Sequence, residues 1–227
     1  MIIKVCGMRD AANIKEVSQL DIDWMGFIFF PKSPRYVRQI NSNAGFIPDY
    51  PSLRNNDGDE PSPKKIKRVG VFVDDMPQNI VTRVVNFRLD IVQLQGCENA
   101  IMIDNLRRTL EPDIHKGIKI IKALSVASAA DVEKYKDYEG HVDYFLFDTK
   151  TPLKGGSGNK FDWSVLDAYD GKTPFLLSGG IGPDDVERIR EFNHPECIGI
   201  DVNSRFETVP GVKDAALLKS FVEALRG

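Results

Sequence analysis

The feature that most constrains this chain is a rhythm: short apolar runs, each ended by a loop residue and followed by a stretch with helical spacing, repeated eight times. The runs begin at Ile2, Trp24, Arg68, Asp90, Ile118, Asp143, Pro174 and Cys197. Most are apolar without strict alternation, as strands covered on both faces of a parallel sheet require. Between them, Ile14, Val17 and Leu20 recur at helical spacing, as do Ile80, Val81, Val84 and Val85 after Pro77, and Leu217, Leu218, Phe221 and Leu225 near the end. The second helix is the exception. Residues 41–63 hold four prolines and no sustained period, and read as an irregular loop. Eight strand–helix units with right-handed crossovers close most naturally into a (β/α)8 barrel, an α/β single domain over residues 1–227. An open doubly wound sheet is the rival, but no G-x-G-x-x-G pattern follows the first strand.

Bulk properties remove several functions. A formal charge of -3 leaves no basic stripe for nucleic acid, and Lys64 to Arg68 is a short flank before a strand. No apolar run approaches the roughly 20 residues of a membrane span, and no signal peptide is recognisable at Met1. The cysteines Cys6, Cys97 and Cys197 have neither metal nor redox spacing, and their odd number suits a reducing compartment. The expectation is a cytoplasmic protein without nucleic-acid or membrane partner, a monomer or homodimer.

In such a barrel the site lies at the C-terminal strand ends. Cys6 ends the first strand, and alternation puts Lys4 on the same face. An inward lysine needs a partner, and Asp201 on the eighth strand is the natural one. The cation beneath Cys6 is expected to lower its thiol pKa and favour thiolate. Asp148 leaves the apolar run Phe145 to Phe147 and reads either as a turn cap or as a carboxyl raised by desolvation into a general acid. Glycine and serine loops end strands six, seven and eight: Gly156 and Ser157, Gly179 and Gly180, and Asn203 and Ser204. Such loops offer backbone N–H groups to a phosphate. Arg35, stiffened by Pro34, reads as a salt bridge or as a fork for a substrate carboxylate.

The ordered set Lys4-Val-Cys-Gly-Met8, Gly26 to Val37, Val69-Gly-Val-Phe-Val73, Val92-Gln-Leu-Gln-Gly96, Phe147-Asp148, Gly155-Gly-Ser-Gly158, Leu177-Ser-Gly-Gly180 and Asp201-Val-Asn-Ser204 resembles the phosphoribosylanthranilate isomerases. Glu207 and Pro210 to Asp214 extend the match. The resemblance implies a cofactor-free barrel of tryptophan biosynthesis that carries out an Amadori rearrangement on a phosphorylated small molecule. It implies Cys6 as general base, Asp148 as general acid, Arg35 on the anthranilate carboxylate, and the loops of strands six to eight on the phosphate. Two positions depart from the family pattern. Gln95, at the pocket wall, stands where the family usually has His. Arg205 stands where a glycine is usual, and either crowds the phosphate or adds a contact to it. A different phosphosugar isomerase or lyase and a catalytically silent phosphosugar-binding barrel are the other readings. Against the first, strand one ends in Cys6 rather than in an aspartate.

Overall fold

The computed structural model describes residues 1–38, 66–149 and 162–227. The irregular loop expected at 41–63 and the glycine loop at 155–158 lie outside them. Eight parallel strands close in sequence order: β1 Ile2–Val5, β2 Trp24–Ile28, β3 Lys67–Phe72, β4 Ile91–Leu94, β5 Lys119–Val126, β6 Tyr144–Thr149, β7 Phe175–Ser178 and β8 Cys197–Val202. The barrel expected from the rhythm is therefore the observed fold.

Strand alternation divides the core in two. Trp24, Val69, Ile91, Ile121, Ala123, Leu146 and Leu176 face one another inside the barrel. The residues between them, such as Ile3, Met25, Val92, Ile120, Phe145 and Ile200, pack outward against the helices. Those helices are α1 Ala11–Val17, α2 Pro77–Phe87, α3 Ala100–Leu110, α4 Ala129–Val132, α5 Val186–Glu191 and α6 Ala215–Arg226. Asp10, Asn99 and Asp214 cap α1, α3 and α6 by accepting a backbone N–H.

The outer layer is thinner than periodicity suggests. Only a four-residue α-helix follows β5, continued by a 3-10 turn over Glu133–Asp137. Before β7 stands a 3-10 segment, Trp163–Ala168. The last helix starts no earlier than Ala215, because Lys213 pairs in a small hairpin of β9 Glu207–Val209 and β10 Val212–Lys213. No helix among the described residues is long and apolar enough to cross a membrane.

Candidate active site

Inward residues at the C-terminal ends of the strands line a cavity of about 200 Å3. It brings together Cys6 from β1, Gln93 and Gln95 from β4, Asp148 from β6, Gly179 and Gly180 after β7, and Asp201, Asn203, Ser204 and Arg205 from β8 and its loop. Sequence reasoning had singled out all of these except Gln93. Ile28, Leu146, Ser178 and Ile181 complete the lining. These four are apolar or small groups whose inward position only the closed sheet defines.

Cys6 extends the β1–β8 pairing by one residue, donating its N–H to Val202 O at 2.9 Å. The thiol fits because its neighbour on β2 is Gly26, where a Cβ would meet Sγ at 2.8 Å. Below it, Lys4 and Asp201 face each other across the β1–β8 register, with Nζ and Oδ1 2.8 Å apart and Lys4 fully buried. This is the ion pair expected from strand alternation. Burial works against the ammonium of Lys4, and Asp201 more than offsets it, so its pKa is raised. Ser178 Oγ donates to the other Asp201 oxygen at 3.1 Å.

The expected acidification of Cys6 is overturned. Burial pushes the thiol up, and the opposing pull of Lys4 and Lys213 does not compensate. The thiol is 4% exposed, so the charged form loses most of its hydration, and a cation already paired with Asp201 supplies little net field.

Asp148 is half-buried at the cavity wall, in register with Ser125 and Ser178 on the flanking strands. Arg205 is exposed and lines the cavity beside Ser204, so it stands at the loop end of the pocket without filling it. Gly156 and Ser157 lie outside the described residues. Gly179 and Gly180 both have positive φ, 99° and 66°, in a turn at the cavity edge that glycine makes without strain.

Arg35 does not line the cavity. Its guanidinium forks onto Glu207, with Nε 2.8 Å from Oε1 and Nη2 2.5 Å from Oε2, so the salt-bridge reading describes its geometry. Glu207 also accepts from Lys213 Nζ at 2.7 Å, and Lys213 in turn donates to Asn203 Oδ1 at 2.8 Å. Burial raises the Glu207 carboxyl, but the bonds from Arg35 and Lys213 outweigh it and hold the pKa at about 2. Two cations and one carboxylate leave this group with one net positive charge behind the mouth of β1, β2 and β8. Gly7 lets it assemble: at φ +77, its absent Cβ would sit 2.6 Å from both Arg35 Cδ and Asn203 Oδ1. Lys4 likewise lies beneath the cavity, not on its wall. No group of three or more metal-ligating side chains occurs among the described residues.

A family model described as N-(5'-phosphoribosyl)anthranilate isomerase matches residues 3–224. An N-(5'-phosphoribosyl)anthranilate isomerase of Parabacteroides distasonis is 44% identical over 225 residues, covering 99% of this chain and 93% of the relative. The crystal structure of the Thermotoga maritima isomerase superposes with a TM-score of 0.75 at 31% identity, over 100% of both chains. A phosphoribosylanthranilate isomerase in complex with reduced 1-(o-carboxyphenylamino)-1-deoxyribulose 5-phosphate matches with a TM-score of 0.74 at 27% identity, again over 100% of both. With a match that runs from the first strand to the last helix, the chain belongs to the N-(5'-phosphoribosyl)anthranilate isomerase family.

Proposed function

We propose that this chain converts N-(5'-phosphoribosyl)anthranilate to 1-(2-carboxyphenylamino)-1-deoxyribulose 5-phosphate in tryptophan biosynthesis, with Cys6 as general base and Asp148 as general acid. The observation that carries this reading is that Cys6 and Asp148 line one cavity whose rim is formed by the glycine and serine loops after β7 and β8. A thiol and a carboxyl set on different strands around one small pocket suit a reaction that moves protons and needs no cofactor.

Asp148 gives its proton to the furanose ring oxygen while the arylamine nitrogen pushes its lone pair to C1. The ring opens to an iminium. The C2 hydrogen, now adjacent to C=N⁺, is acidic, and Cys6 removes it. The electron pair forms a C1=C2 enolamine with a neutral nitrogen, and a proton moves from the C2 hydroxyl while another is added at C1, giving the ketone. As a base Cys6 acts as the thiolate, so its own S–H proton must first pass to solvent in the cavity, an ionisation that burial makes costly. The positive charge that favours its ionisation arises on the substrate at the step where a base is needed.

Gly179, Gly180, Asn203 and Ser204, with Gly156 and Ser157 from the loop after β6, would hold the phosphate. Arg205 adds a cation there, and Gln95 forms part of the wall. Arg35 serves the anthranilate carboxylate through the net charge of the Arg35–Glu207–Lys213 group, with its fork already fixed by Glu207. Cytoplasmic action as a monomer or homodimer fits this role. The test follows the loss of anthranilate-type fluorescence from freshly generated phosphoribosylanthranilate. Wild type should consume it far faster than the spontaneous rate. Cys6→Ala and Asp148→Asn should each lose about 10²–10⁴ in rate, and folded wild type without turnover would refute the isomerase reading.

A further inference from the structure

Gln93 is 2% exposed and lines the cavity, yet its Oε1 has no hydrogen-bond partner among the described residues. Its Nε2 is used, donating to Gln95 Oε1 at 3.2 Å. The flanking strands give no relief, because the residues in register with it are Val71 on β3 and Ile121 on β5. A buried amide oxygen left without a donor costs stability, so an orphan on a side chain that lines a cavity calls for a donor on the ligand.

Strand order narrows the choice of donor. In the closed barrel β4 lies opposite β8, and the phosphate, on the reading above, sits at the β7–β8 end. The part of the substrate beyond its phosphate then faces β4, and the arylamine N–H is the donor there whose charge changes during the reaction. We propose that Gln93 Oε1 accepts the N–H of the arylamine nitrogen and stabilises the iminium formed on ring opening. This assignment rests on the isomerase reading.

The bond is neutral in the substrate and charge-assisted in the iminium, so it strengthens as the reaction proceeds and weakens again in the enolamine. Gln93 takes no proton. Gln95, by accepting from Nε2, fixes which face of the amide meets the nitrogen and acts as a positioning residue.

Steady-state kinetics on Gln93→Met test this, alongside the affinity of the same variant for the reduced carboxyphenylamino-deoxyribulose phosphate, whose nitrogen is an amine and never an iminium. The expected result is a kcat loss of about 10- to 100-fold with an affinity loss below about fivefold. Gln93→Glu, which keeps an acceptor oxygen, should recover part of the kcat. A kcat within threefold of wild type, or equal losses in kcat and in affinity for the reduced compound, would overturn the proposal. Should Gln93→Met lose its native circular dichroism, Gln95→Leu decides: a severalfold fall in kcat supports it and an unchanged kcat overturns it. Failure of the isomerase reading itself would show separately, as absent turnover in wild type.

Discussion

The N-terminal rim of the barrel and the part of the C-terminal rim around Cys6 treat polar groups in opposite ways. At the N-terminal rim, Asp23, Asp90 and Asp143 each stand just before an even-numbered strand and accept the backbone N–H at the start of the preceding odd one. The donors are Ile3, Arg68 and Ile120, at 2.8, 2.8 and 2.9 Å. Cations close two of these carboxylates further: Arg226 reaches Asp23, and Arg107 and Lys119 reach Asp143. At the C-terminal rim the same chemical types are held in tension. Cys6 is pushed away from its charged form, Gln93 Oε1 lacks a donor, and Arg35 and Lys213 share a single carboxylate. Around β1, β4 and β8 the C-terminal rim keeps such groups at or beside the cavity, whereas at the ends of β3 and β4 Glu98, paired with Lys122, is committed to the fold as the N-terminal carboxylates are.

The sharpest way to break this contrast is Cys6→Ala. It should remove about 10²–10⁴ of the rate and leave thermal unfolding within a few degrees of wild type, because a buried, unhydrated thiol contributes little beyond its packing. Calorimetry beside the fluorescence assay measures both, and a large fall in Tm would place Cys6 among the structural residues.

Acid is the next probe. Glu207 sits at about 2 when folded, against an ordinary 4.5, so its contribution to stability is present above pH 4.5 and disappears as pH falls toward 2. The shift corresponds to at most on the order of 3 kcal/mol. Urea unfolding across that window should show the loss, and Glu207→Gln should flatten it.

Gly7→Ala should cost about 1–3 kcal/mol, since a methyl there meets Arg35 and Asn203 at a positive φ. It is a case where the functional rim carries stability, and a neutral result would mean that the Arg35–Glu207 group is adjustable. Smallest is Asp143→Asn, about 1–2 kcal/mol from lost charge-assisted bonds, with kcat unchanged within twofold. A loss of kcat there would dissolve the division between rims.

Strand order, the inward faces and the Lys4–Asp201 pair were legible in the sequence because alternation is local and needs only the neighbouring strand to be identified. The N-terminal carboxylates were not. Asp90 and Asp143 read as first residues of strands, while their acceptor role joins backbone groups 22 and 23 residues apart that no periodicity reports. Arg35 was legible as a cation on a stiff loop, but its partner Glu207 lies 172 residues away. For Cys6 the sequence displayed the cation and hid the burial, and burial is the larger of the two effects. Gln93 looked like one more residue of a buried strand, since nothing local distinguishes a satisfied amide from an orphan.

The sealed, neutral thiol has a consequence for durability. Alkylating agents, peroxides and disulfides react with thiolates, and a thiol whose ionisation burial disfavours offers them little target. Electrophiles that silence enzymes with resting thiolates should label Cys6 slowly.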